Sequence, residues 1–245
     1  MANSNWSFNT LDQPASYEQT GVSRTFMNGV FSWMGIALAI SAVTAYVFGT
    51  DMSYLSYLVD PIAGKMTMLG YIVMFAPIGF VLLMSFGFQK LSATALSGLF
   101  LVYSVIMGMS LSFVFLAYQL GSVFVIFGVS AAMFGVMALA GYTTKTDLTK
   151  MGSILMMALV GIIIASLINL FMQSSGMSYI ISFITVIVFT GLTAYDVQKL
   201  KEIGANVEGG SEASAKMSIL GALTLYLDFI NLFLALLRLF GSRRS

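Results

Sequence analysis

The chain has no cysteine and no histidine in 245 residues. The first absence excludes disulfides, thiol catalysis and thiolate metal sites. The second removes the side chain that ordinarily titrates between pH 5 and 8. Charge is scarce as well: 9% of residues are Asp, Glu, Lys or Arg, against roughly a quarter in a soluble domain. A net charge of +1 provides no basic face for a nucleic acid. Of the 3 prolines, Pro77 alone stands within a long apolar stretch.

What is present is apolar. Hydrophobic residues make up 58% of the chain, and uninterrupted apolar windows recur along nearly its whole length. Each is long enough to cross a hydrocarbon core of about 30 Å. The reading is an all-α integral membrane protein with seven spans, over about 25–48, 66–86, 93–117, 122–141, 153–172, 179–199 and 217–240. The spans consume residues 24–241 and leave no room for a second folded domain. Residues 1–23, polar and without a signal-peptide pattern, are expected to be a disordered cytoplasmic tail, and 242–245 a short basic one. Short connections at Gly87–Leu91, Tyr118–Gly121 and Gln173–Met177 make neighbouring helices antiparallel. Longer loops are expected at 49–65 and 200–216. The methionines are read as membrane packing, and the loop acids Asp51 and Asp60 as solvated.

Lysine and arginine placement sets the orientation. With the N-terminus in the cytoplasm, Arg24, Lys90, Lys145, Lys150, Lys199, Lys201 and Lys216 lie on the inner side. Seven full crossings then put Arg238, Arg243 and Arg244 outside, against the rule, and a re-entrant last segment would bring them back. Seven crossings are preferred because 217–240 is long enough to span.

Two carboxylates stand inside the last two spans: Asp196 and Asp228. An ionised carboxylate in a bilayer core costs at least about 3 kcal/mol, so such a residue is expected to have a use. On the seventh span Gly221, Thr224, Asp228, Asn231, Ala235 and Arg238 share one helical face. A stripe of small and polar residues faces other helices or water, not lipid. The seventh helix is therefore expected at the centre, enclosed by the other six. On the sixth span Thr190, Thr193 and Asp196 share a face. If the two acids meet, they share a proton and titrate as a coupled pair. Deprotonated, they repel each other or accept a cation. Calcium suits these hard oxygens but wants six to eight of them, so the pair would be a way-station and not a cage. Thr193, Thr224 and Asn231 are the expected supporting residues.

At these residues the chain resembles the Bax inhibitor family, also called the transmembrane BAX-inhibitor-motif family, in a bacterial form. The resemblance runs from about Arg24 to Gly241. It is carried by Val102-Tyr103-Ser104 through Gly108-Met109-Ser110-Leu111-Ser112 and by Gly141-Tyr142-Thr143-Thr144-Lys145-Thr146-Asp147-Leu148. Thr193-Ala194-Tyr195-Asp196-Val197-Gln198 and Leu227-Asp228-Phe229-Ile230-Asn231-Leu232-Phe233 complete it. It implies six helices around the seventh, residence in the bacterial inner membrane, and a pH-sensitive calcium leak controlled by an aspartate pair, here Asp196 and Asp228. It also implies an arginine in the second span that latches the pair. Residues 66–86 hold no basic residue, and Lys90 is the nearest substitute.

Three other functions are weighed beside the leak. One is a non-conducting regulator of a membrane protease or stress pathway, with the polar tail as its handle. Another is a proton-coupled cation exchanger. The most remote is an intramembrane aspartyl protease, for which the Gly-x-Gly-Asp and Pro-Ala-Leu elements are missing. The chain is accordingly read as no enzyme, with no catalytic residue and no cofactor, and with calcium and protons as its ligands.

Overall fold

The computed structural model describes residues 15–244, with side chains from Ser23 onward. Nine helices occupy these residues: α1 (Ala15–Thr50), α2 (Met52–Leu55), α3 (Met68–Gly87), α4 (Ala93–Leu111), α5 (Val114–Ala117), α6 (Leu120–Thr143), α7 (Thr149–Met172), α8 (Ser175–Asn206) and α9 (Glu212–Phe240). Seven apolar stretches are long enough to cross a bilayer, with α4 and α5 forming a single span broken at Ser112. All seven expected spans are present.

The ends differ from the sequence reading in an instructive way. Helix α1 starts at Ala15, inside the stretch read as a tail. Ala15, Glu18 and Gln19 are good helix formers and extend the membrane helix outward. Residues 1–14 lie outside the described residues. The expected loop 200–216 shrinks to 207–211, because α8 continues to Asn206 and α9 begins at Glu212. Lys201, Glu202 and Lys216 are poor membrane residues but good helix residues, so these helices outlast the apolar run. Loop 49–65 contains α2 and is closed by an antiparallel bridge between Val59 and Met66. Within it Asp51 accepts from Ser53 N and Asp60 from Ile62 N, so both acids brace local turns.

Side-chain caps start the helices that matter most to the site. Ser174 Oγ accepts from Met177 N at 3.3 Å and Ser211 Oγ from Ser214 N at 3.1 Å, which satisfies donors that α8 and α9 would otherwise leave bare.

Helix α9 is the centre. In its apolar stretch 72% of residues are buried, against 0% for α7. It packs on α1, α4, α6 and α8. The expectation of six enclosing helices is refined here: α1, α4, α6 and α8 make the main contacts with α9, while α3 packs along α4 and α7 along α8. Lipid solvates the outer faces of α3 and α7 as well as a helix would, so nothing draws them inward. Small residues permit the tight crossings. A Cβ on Gly108 would stand 2.7 Å from Ser41 O of α1, and one on Gly141 would collide with Ala194 O of α8. At the core, Ser41 Oγ donates to Ser104 O at 2.7 Å and bonds the Tyr226 hydroxyl at 2.7 Å, tying α1, α4 and α9 together.

The last helix is unbroken and its tail settles the crossing question. Gln119 N donates to Ser242 O at 2.9 Å and Arg244 N to Ala117 O at 3.0 Å, so the chain ends beside the α5–α6 turn. That turn lies at the opposite end of the bundle from the α8–α9 connection. A re-entrant last segment is thereby excluded.

Candidate functional site

Asp196 and Asp228 meet. Asp196 sits about 15 Å from the C-terminal end of α8, and Asp228 about 24 Å from the start of α9, at 1.5 Å per residue. Because α8 and α9 are antiparallel and packed along their length, their carboxyls come within hydrogen-bonding reach of each other. Asp228 is 4% exposed and Asp196 half-buried. Asp228 Oδ2 is fully enclosed and receives no amide, amine or hydroxyl donor. Leaving such an acceptor bare costs about 1–3 kcal/mol, and more for a charge. A proton shared with the neighbouring Asp196 carboxyl would satisfy it.

The pair opens into a cavity of ≈ 800 Å³ walled by α7, α8 and α9. The cavity exists because α7 leans on α8 and stands off from α9. Gly152 of α7 rests on the Tyr195 ring, and Leu155 of α7 on Gly191. Thr224, Asp228, Asn231, Ala235 and Arg238 all line it, so five residues of the α9 stripe face one space. Gly221 does not: it is the contact point of α9 with Leu200 and Val30. Thr224 donates to Leu220 O at 3.1 Å and Asn231 Nδ2 to Leu227 O at 2.8 Å, which leaves oxygen atoms as what each can offer a cation. Thr193 is a correction. It is 0% exposed, donates to Phe189 O at 2.7 Å and belongs to the helix core, not to the cavity. The i, i+3 spacing put it on the same face as Asp196, but α6 packs on α8 beside it, with Gly141 against Ala194.

The latch is a second correction. Lys90 is exposed in the α3–α4 turn, and no residue of α3 lines the cavity. The basic residues that do line it are Lys199, one turn beyond Asp196 and close enough for its charge to act on that carboxyl, and Arg238. Lys199 Nζ lies 5.7 Å from the centre of the Tyr195 ring. Among the described residues no third acid joins the pair to form a cluster of metal ligands.

Sequence reasoning passed over one set of residues. Gln198, two positions past Asp196, accepts from Leu148 N at 2.8 Å and donates to Thr146 O at 2.8 Å. Lys201 Nζ donates to Tyr142 O at 2.8 Å and sits 5.0 Å from the centre of that ring. The segment from Gly141 to Leu148 is thus clamped to the C-terminal part of α8. A glutamine at the membrane edge, pointing away from water, was the available signal.

Comparison with known proteins agrees with this architecture. The profile of the family described as "Inhibitor of apoptosis-promoting Bax1" matches residues 23–245. The inner membrane protein YbhL of Escherichia coli K12 is 44% identical over 222 residues, covering 90% of this chain and 93% of its own. An uncharacterized protein of Borreliella burgdorferi is 41% identical over 235 residues, covering 96% and 99%. A third, from Deinococcus radiodurans, is 40% identical over 220 residues, covering 90% and 91%. The match extends through every span, including both aspartate segments, and the chain belongs to the Bax inhibitor family of membrane proteins.

Proposed function

We propose that the protein is a pH-sensitive cation leak, for calcium, in a bacterial inner membrane, gated by protonation of Asp196 and Asp228. One observation carries the reading. Two carboxyls from different helices are in contact, one oxygen has no other donor, and both border a cavity. With a proton between them the pair pins α8 to α9 and presents little charge. Without it, two anionic oxygens flank the cavity, joined by the oxygens of Thr224 and Asn231. That is fewer than the six to eight ligands calcium takes in a tight site, so an ion would be held briefly and released.

In this reading the pair moves ions and makes no covalent intermediate. The end bearing Arg24, Lys90, Lys145, Lys150, Lys199, Lys201 and Lys216 faces the cytoplasm by the positive-inside rule, with the N-terminus there. The test is calcium flux into liposomes holding the purified protein, from pH 5 to 8. Flux should rise as the proton leaves and lose its pH dependence in Asp196→Asn and Asp228→Asn. Flux that is absent, or unaffected by both substitutions, would sink the proposal.

A further inference from the structure

The cavity continues toward the other end of the bundle, and its chemistry reverses there. A second chamber of ≈ 670 Å³ shares Ser166, Ser182 and Arg238 with the first and ends at Gln173, Ser175 and Arg243. No carboxylate lines it. The guanidinium groups of Arg238 and Arg243 have no acidic partner among the described residues; the one ion pair there joins Lys216 to Glu212 at 3.5 Å, at the opposite end. Arg238 is placed by the stripe of α9, and Arg243 by the bridge between its residue and Tyr118. The side chains of Ser166, Gln173, Ser175 and Tyr179 also line the chamber and make no hydrogen bond among those described. The first turn of α8, whose backbone N–H groups point out of the helix, opens at Ser175 on the same space.

From this the geometry points to an anion site at the outer end of the groove, formed by Arg238 and Arg243 and built for a phosphate group. Guanidinium forks match phosphate oxygens in pairs, and the hydroxyl and amide donors supply the remaining bonds. The helix N-terminus adds a positive partial charge. The phosphate can come from two sources. The α7 wall of the groove is apolar and accessible, with Leu170 68% exposed and Leu167 57% exposed and both lining the groove, so a phospholipid headgroup can slide in along α7 from the membrane. A free phosphate can arrive from the aqueous end. The site stands whether or not the aspartate pair conducts; if the pair does, a bound phosphate also lowers the barrier that two positive charges raise to a cation.

The experiment measures binding, not flux. Purified full-length protein is titrated with phosphatidylglycerol against phosphatidylcholine in mixed micelles by native mass spectrometry, and separately with inorganic phosphate by phosphorus NMR. At least one phosphate probe should bind, with phosphatidylglycerol preferred over the zwitterionic lipid by about tenfold if the lipid is the source. The probe that binds identifies the source. Arg238→Gln/Arg243→Gln should lose that binding, while Arg244→Gln, whose guanidinium instead reaches Phe115 O at 3.4 Å, should keep it. Both arginines of the site are exposed, so the double variant should melt with the parent and report on binding alone. No binding of either probe by the parent, or binding unchanged in Arg238→Gln/Arg243→Gln, overturns the inference.

Discussion

Helices α7 and α9 form opposite walls of one cavity, and they could hardly be treated more differently by the fold. The more apolar of the two is α7, yet none of its apolar stretch is buried, whereas α9 is buried over 72% of its own. In water the greasier helix would go inside. In a bilayer lipid tails are as apolar as leucine, so burial goes to the helix whose small and polar residues gain most from other helices. Gly221, Thr224, Asp228 and Asn231 mark α9 for the centre. The leucine, isoleucine and methionine residues of α7 mark it for lipid.

That contrast can be broken most severely where the inner helices touch. Gly141→Val places a side chain against the Ala194 carbonyl of α8, a backbone atom that cannot turn aside. Such overpacking costs about 3 kcal/mol or more and should abolish a folded, monodisperse protein by size-exclusion chromatography in detergent. Next in size is Tyr226→Phe, which removes the hydroxyl bonded to Ser41 at 2.7 Å. The loss should be about 1 kcal/mol, seen as a lowered melting temperature with the fold retained.

A smaller effect is expected at the loop between α6 and α7. Hydrogen bonds from the Thr149 side chain and backbone hold the Asp147 carboxyl below its usual 3.8, with nearby Lys150 acting the same way. A lowered carboxylate stabilises the fold above its unfolded-state value and loses that contribution as pH falls through the folded one. The α7 start should therefore fray only below about pH 4, and hydrogen exchange at Thr149 should show it, while Asp147→Asn should exchange fast at every pH. Smallest of all is Gly161→Ala on α7. A Cβ there meets nothing within 4 Å, so nothing is lost and melting should fall by less than about 0.5 kcal/mol equivalent, if it falls at all. A large loss from this substitution would mean α7 is packed, and not lipid-facing.

Much of the architecture was legible because a bilayer demands long apolar helices, and such runs are plain in sequence. The stripe through Asp228 was legible for the same reason that it is rare: polar residues at helical spacing inside a span have few explanations. The helix ends were less so, since α8 and α9 leave the membrane as helices and charge there says nothing about where winding stops. Thr193 was misplaced because two residues one turn apart on a shared helical face meet different neighbours, α6 beside Thr193 and the cavity at Asp196. Arg238 was on the right face by the stripe, but Lys199 and Arg238 were not weighed as the pair's basic neighbours because a latch was sought on the second span, which packs on α4 away from the pair. Contact between Asp196 and Asp228 was beyond reach of spacing alone: it depends on the register of two antiparallel helices, set by side chains along their whole length.

The central claim is that Asp196 and Asp228 act as one proton-sharing unit. Infrared difference spectroscopy of the reconstituted protein, titrated from pH 8 to pH 5, tests it directly. The account predicts a protonated-carboxyl band titrating over a broad, two-step range, changed or lost in Asp196→Asn and in Asp228→Asn alike. Two bands titrating independently, with each single substitution removing one and leaving the other unmoved, would contradict it.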